Sequence, residues 1–346
     1  MVEKIRVLVV DDSAFFRKRI RHELEQSDRI EVAGEAADGI EAVEMATRLK
    51  PDLITMDVAM PRMDGIAAVR EILRARPTPI IMVSALTREG ARATLEALDA
   101  GAVDFLPKQG CVNGEAAAGC RLSDRVIDIA QTGNKRPIAV PRERPAPPAA
   151  KRRKPQSRAT IRLLAIGAST GGPVAIQRVL ANLPANYPYP VLVAVHMPGE
   201  FSVSFAERLD TICPIEVKLA VDADPLLPGR VLIAPGGMQT LVETRAGRLR
   251  VRVEAGSNEL YKPSIDLMFG SAAQSLEDAV HALILTGMGA DGTEGARQLK
   301  QKGAVVWSQD RATSVVYGMP YSVVKAGMTD RVMPLDEIGP ALSGLA

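Results

Sequence analysis

Gly167-Ala168-Ser169-Thr170-Gly171 ends the apolar run LLAIG and precedes Gly172-Pro173. This is a G-x-S-x-G turn between a predicted strand and a predicted helix, the context in which a serine is presented as a nucleophile. Pro173 suits the first turn of a helix, and that helix's N-terminal amides and dipole favour negative charge beside Ser169. Phosphate-binding readings of the turn fail: a dinucleotide fingerprint needs glycine where Ser169 stands, and a P-loop needs lysine where Pro173 follows Gly172. A nucleophilic serine needs a base, and the chain has three histidines. His22 falls in the first predicted helix, and His281 begins the strand HALILTG at the sheet edge away from Ser169. His196 ends PVLVAVHM, on the same edge as the serine, and is the candidate base. A carboxylate must then orient the imidazole and stabilise its charged form. Asp291 in LTGMGADG is the first choice and Asp310, at the end of AVVWSQD, its rival; Asp266 in KPSID reads as a helix cap or helix start.

A second set of reactive types lies nearer the N-terminus. Asp11 and Asp12 follow the first apolar run, Asp57 the third, Ser84 the fourth and Lys108 the fifth. In an open parallel sheet these positions share the crevice outside the strands' carboxyl ends. Three converging carboxylates repel one another unless a hard cation such as Mg²⁺ is present. An aspartate held against that ion can attack a phosphoryl group, whose oxygens a hydroxyl and an ammonium would bind.

The positioning elements are legible as alternation. IRVLVV, IEVAGE, DLITMD, PIIMVSA and AVDFLP are separated by amphipathic helical stretches such as FFRKRIRHELEQS and IEAVEMATRLK. The pattern resumes with IRLLAIG, YPVLVAVHM, RVLIAPGG, HALILTGMG and AVVWSQD. Continuous apolar strands alternating with helices predict parallel sheets covered on both faces. VETRAGRLRVRVE instead alternates as a hairpin turning at Ala246-Gly247.

At 346 residues and 47% hydrophobic, the chain has material for two cores. With aromatics at 3%, those cores must be aliphatic. No run reaches the roughly 18 apolar residues a membrane span needs. No signal-peptide cleavage site follows the first apolar run. Cys111, Cys120 and Cys213 lack CxxC spacing, which predicts a reduced, cytoplasmic protein. The segment from Lys135 to Arg158 holds nine Lys or Arg against Glu143, +8 within a chain of net charge +2, leaving the remainder at −6. Rich in proline as well, it reads as a solvated interdomain linker, so KRRK marks a tether and no nucleic-acid partner is expected.

VVDDS, Asp57 followed by MPRMDG, Ser84-Ala85 and DFLPK resemble the response-regulator receiver family over residues 1–125. The resemblance implies that Asp57 accepts a phosphoryl group from a histidine kinase, that Asp11 and Asp12 bind Mg²⁺ with Asp57, that Ser84 and Lys108 sense the phosphoryl group, and that Phe105 is the switch aromatic. Gln109 stands where the family usually has proline, so the usual cis bond is not expected there.

AIGASTGGP, VHMPGEFSVSFAERL, IAPGG, KPSIDLMF, LTGMGADGTEG and VVYGMP, in that order, resemble the catalytic domain of chemotaxis protein-glutamate methylesterases over about residues 160–337. This implies a Ser169–His196–Asp291 triad hydrolysing glutamyl methyl esters on methylated chemoreceptors, and deamidating receptor glutamines. Met288 and Thr170 would form the oxyanion region, and no cofactor is implied in this domain. Departures are Met238-Gln239 where histidine is frequent, Ser314 where cysteine is usual, and the looser VDADPLLP.

The expected α/β architecture is therefore a five-stranded flavodoxin-like receiver (1–125), a linker (126–159), and a doubly wound, mainly parallel catalytic domain with a β-hairpin (160–346). The receiver is expected to block the active site until Asp57 is phosphorylated. The protein is expected to be a monomer without membrane insertion. Rival readings are a non-enzymatic regulator, for which a helix-turn-helix or basic folded surface is missing, an amidase or small-ester esterase, and a paralogue acting on another protein in a different sensory pathway.

Overall fold

The computed structural model describes residues 4–109, 121–131, 162–256 and 259–345; Cys111, Cys120 and the basic stretch of the expected linker lie outside them. In the first sheet, β1 (Ile5–Val10), β2 (Ile30–Ala36), β3 (Leu53–Asp57), β4 (Ile80–Ser84) and β5 (Asp104–Pro107) pair in parallel in the order β2-β1-β3-β4-β5. The helices are α1 (Ala14–Glu25), α2 (Gly39–Leu49), α3 (Gly65–Ala75), α4 (Arg88–Asp99) and α5 (Leu122–Gln131). Successive residues of a strand face opposite ways. Val7 and Val9 accordingly join Ile20 and Leu24 of α1 and Val126 and Ile129 of α5, while Leu8 and Val10 join Ala42, Val69 and Leu95 of α2, α3 and α4. Asp38, Asp64 and Thr87 accept backbone N–H groups at the starts of α2, α3 and α4, which fixes where those helices begin. Residue 125 falls inside α5, whose Val126 and Ile129 are buried with α1.

In the second domain β6 (Leu163–Ala168), β7 (Val191–Val195), β8 (Glu216–Leu219) and β9 (Arg230–Ile233) come first. A hairpin of β10 (Gln239–Arg245) and β11 (Arg248–Glu254) follows. Ala246 and Gly247 at its turn have φ of 50° and 74°, as a two-residue turn of the primed type requires. β12 (Val280–Ile284), β13 (Val305–Gln309) and β14 (Arg331–Met333) complete a seven-stranded parallel sheet, β14-β13-β12-β6-β7-β9-β8. The hairpin forms its own sheet and rests on a helix: the Val242 amide donates to Ser271 Oγ, and Ser275 Oγ donates to the Val242 carbonyl.

Among the described residues six α-helices cover the larger sheet: α6 (Gly172–Leu180), α7 (Gly199–Ile212), α8 (Ile265–Leu276), α9 (Thr293–Gln301), α10 (Gly318–Lys325) and α11 (Leu335–Ser343). Leu164 and Ile166 pack with α6, α7 and α11; Leu163 and Ala165 pack with α8, α9 and α10. Phe201 of α7 is fully buried, worth about 1.5–3 kcal/mol for its side chain. The chain leaves central β6 toward β7 on one side and returns at β12 on the other. A crevice therefore opens at the carboxyl ends of these three strands. No helix among the described residues is long and apolar enough to cross a membrane.

Candidate active site

Each of the three crevice strands delivers one reactive side chain. β6 runs directly into Ser169, whose amide donates to the Thr286 carbonyl at 3.0 Å and whose carbonyl accepts from the Gly172 amide at 2.6 Å. Gly171 turns the chain into α6 with φ of 74°. A Cβ there would lie 2.6 Å from Val315 Cγ2, so conformation and space both require glycine.

His196 follows β7, its amide bonded to the Ala168 carbonyl at 3.2 Å. Its Nδ1 lies 3.1 Å from Ser169 Oγ and its Nε2 2.8 Å from Asp291 Oδ2. Relative to the familiar serine-protease arrangement the two ring nitrogens are exchanged. With Asp291 ionised, the neutral ring carries its proton on Nε2 and offers Nδ1 to the serine hydroxyl.

Asp291 lies in the loop after β12 and is held at the N-terminus of α8. Oδ2 accepts from the Ile265 amide at 2.8 Å; Oδ1 accepts from the amides of Asp266 and Gly292 and from Ser264 Oγ at 2.9, 3.0 and 3.2 Å. Burial opposes its charge, but the bond from His196 and the amides of Ile265 and Asp266 outweigh it and hold the carboxyl below its ordinary value. Asp266 is in the first turn of α8, as a helix-start residue, and accepts from the Gly295 amide at 2.7 Å. Burial, with the neighbouring Asp291 charge, pushes it up to about 6. The rival Asp310 instead bonds the amide and hydroxyl of Thr313. His281 is buried with its ring edge-on to Trp307, and burial lowers it to about 4.

Thr170 and Met288 flank the serine in different ways. Thr170 follows it in the chain; Met288 follows Gly287, which packs on Ser169. A Cβ on Gly287 would stand 2.3 Å from Met319 Sδ and 2.8 Å from Ser169 Cβ. Gly287→Ala is therefore expected to push the loop off the serine and lower kcat about 10²-fold, as an ångström-scale misplacement does. Steady-state kinetics alongside thermal unfolding would check this, and a wild-type kcat would contradict it.

In the first domain Asp11, Asp12 and Asp57 offer carboxylate oxygens within 4.8 Å of one another. Lys108 Nζ lies 2.8 Å from Asp11 Oδ2 and 2.7 Å from Asp57 Oδ2. Asp57 Oδ1 accepts from the Val58 amide at 2.8 Å. Burial, reinforced by the Asp11 charge, raises the Asp57 carboxyl despite Lys108. Burial works against the Lys108 ammonium, but its bonds to Asp11 and Asp57 hold it above its ordinary value. Ser84 Oγ, at the end of β4, donates to the Gly90 carbonyl at 3.4 Å. Three carboxylates supplying hard oxygen donors suit a small divalent cation.

Residues 164–342 match the family described as CheB methylesterase, and residues 7–113 the response regulator receiver domain. A protein-glutamate methylesterase/protein-glutamine glutaminase of Alkalilimnicola ehrlichii is 48% identical over 99% of this chain and 100% of its own length. This chain belongs to the CheB methylesterase family. A second such relative, from Pseudomonas aeruginosa, is 49% identical over 97% of each chain. The crystal structure of the Thermotoga maritima CheB methylesterase catalytic domain covers 54% of this chain and all of its own, at 37% identity and a TM-score of 0.52.

In this family member the receiver's β5 end abuts the serine crevice. Phe105 stacks on Phe201 of α7, centroids 4.4 Å apart and planes 14° apart. Asp104, buried, pairs with Arg125 and lies beside the Gly171 backbone, two residues past Ser169. Glu207 of α7 bonds Arg88 and Arg92 of α4, and Arg208 pairs with Asp99. A cavity of about 450 Å³ remains between the domains, with Ser169, His196, Phe105, Pro107 and Arg125 in its wall. Three contributors escaped the sequence reading. Tyr261 stacks on His196, Ser264 and its neighbours cradle Asp291, and Gln239 ties their loop to the hairpin. Only the KPSI helix start carried a signal, since serine is a favoured N-cap.

Proposed function

We propose that this protein is a cytoplasmic, phosphorylation-controlled serine hydrolase that removes methyl groups from glutamyl esters of chemoreceptors and deamidates receptor glutamines. The observation that carries the reading is the continuous relay from Ser169 Oγ through His196 to Asp291. His196 Nδ1 takes the hydroxyl proton as Oγ attacks the ester carbonyl carbon. Backbone amides at Thr170 and Met288 are the candidates to hold the developing oxyanion. The imidazolium then protonates the departing methoxide oxygen, releasing methanol and leaving an acyl-serine. Water, losing a proton to Nδ1, attacks the acyl carbon, and the proton returns to Ser169 Oγ as glutamate is freed. With glutamine the leaving group is ammonia. Mass spectrometry of methylated receptor incubated with the full chain tests the substrate class. Loss of one methylene mass at each modified glutamate supports the reading, and unchanged receptor beside cleavage of an unrelated small ester overturns it.

Control is assigned to Asp57 as acceptor of a phosphoryl group from a histidine kinase. Mg²⁺ held by Asp11, Asp12 and Asp57 would offset the charge of that group, and Ser84 and Lys108 would bind its oxygens. Phe105 and Asp104 reach from the same domain to Phe201 and Gly171, so a shift of β5 changes access to Ser169. A small phosphodonor is expected to raise the demethylation rate about 5- to 150-fold in wild type, the range of typical couplings. Asp57→Ala should not respond, and Phe105→Ala should have a raised rate without the phosphodonor. Full activation of Asp57→Ala would sink this scheme.

A further inference from the structure

We propose that Tyr261 is a positioning residue for the hydrolysis: its ring holds the His196 imidazole in the plane that joins Ser169 to Asp291. The proposal rests on the serine-hydrolase reading above. The two rings lie face to face, centroids 4.3 Å apart and planes 1° apart. Hydrogen bonds at Nδ1 and Nε2 fix the imidazole at two edge points, but tilting about the line between those points costs them little. A parallel aromatic ring on one face opposes that tilt. It also blocks the half-turn that would put carbon in place of Nδ1 before the serine. The same π face favours the imidazolium formed when Ser169 gives up its proton.

Tyr261 is itself anchored. Gln239, 1% exposed, donates from Nε2 to the Tyr261 carbonyl at 2.7 Å and accepts at Oε1 from the Ser264 amide at 2.7 Å. The Gly237 amide donates to the Lys262 carbonyl at 3.0 Å. Ser264 and Ile265 then bond Asp291. One short loop thus sets both the face of His196 and the carboxylate at its far edge. The tyrosine's outer end lies over the Asp291 loop, where a Cβ on Gly289 would be 3.3 Å from Tyr261 Oη.

The test is steady-state demethylation by the full chain in wild type, Tyr261→Leu, Tyr261→Phe and Ser169→Ala. Tyr261→Leu is expected to lose about ten-fold in kcat at unchanged KM, and Tyr261→Phe to stay within about two-fold of wild type. The downfield proton resonance of His196 Nε2–H, bonded to Asp291, should be sharp in wild type and Tyr261→Phe and broadened in Tyr261→Leu. Thermal unfolding accompanies each variant, and Tyr261→Met carries the same comparison if Tyr261→Leu unfolds early. Tyr261→Leu with wild-type kcat beside an inactive Ser169→Ala overturns the positioning role alone. A raised KM at unchanged kcat, or a Phe variant as slow as Leu, overturns it too. An active Ser169→Ala removes the serine-hydrolase reading and the proposal with it.

Discussion

Ser169→Ala is expected to lower kcat by about 10⁴-fold or more while KM and the unfolding temperature stay near wild type. The substitution removes one oxygen. The backbone bonds that shape the turn, from the Ser169 amide to Thr286 and from the Gly172 amide to Ser169, do not involve it. Substrate still meets the same cavity wall and the same flanking amides, so ground-state binding persists. What disappears is the covalent route. If His196 merely activated water against the ester, loss of the serine would cost a small factor. The size of the effect therefore separates nucleophilic from general-base hydrolysis. Kinetics on methylated receptor, with circular dichroism as a folding control, would measure it.

Asp291→Asn is expected to cost about 10⁴ in kcat, for reasons of proton placement. Oδ2 receives the Ile265 amide and His196 Nε2, and Oδ1 receives two amides and the Ser264 hydroxyl. All five partners donate. An asparagine amide has one oxygen, so either orientation sets an NH₂ against N–H groups in a buried site. With NH₂ toward His196, the ring proton is driven to Nδ1, and the serine then faces a donor instead of a base. Unlike Ser169→Ala, this variant should also lose thermal stability, because the start of α8 depends on the same carboxylate. The double variant should be no slower than Ser169→Ala alone, since the two residues act in one step. A multiplicative loss would show that Asp291 acts outside the serine relay.

The candidate site residues were legible because parallel sheets gather their ligands at strand ends, and the strand ends were legible as apolar runs. Asp11, Asp57, Ser169 and His196 all stand within two residues of such an end. Asp291 was harder: β12 and β13 are neighbours, both end near an aspartate, and alternation alone left Asp310 as rival. The distinction lies in the N-terminus of α8, whose amides reach Asp291. β8 and β14 went unread because four-residue and three-residue edge strands are too short to show a period. That α5 runs past residue 125 has little sequence signal, because this helix is stabilised by packing Val126 and Ile129 on α1. Tyr261 and the exchange of ring nitrogens have no sequence signature at all. They follow from how one loop lies over another.

Methanol release from methyl-labelled chemoreceptor, by full-length wild type and full-length Ser169→Ala with and without phosphodonor, is the most direct measurement. Labelled methanol from wild type, faster with the phosphodonor, and none above background from Ser169→Ala is the expected result. Release by Ser169→Ala at the wild-type rate would contradict the assignment of Ser169 as the nucleophile.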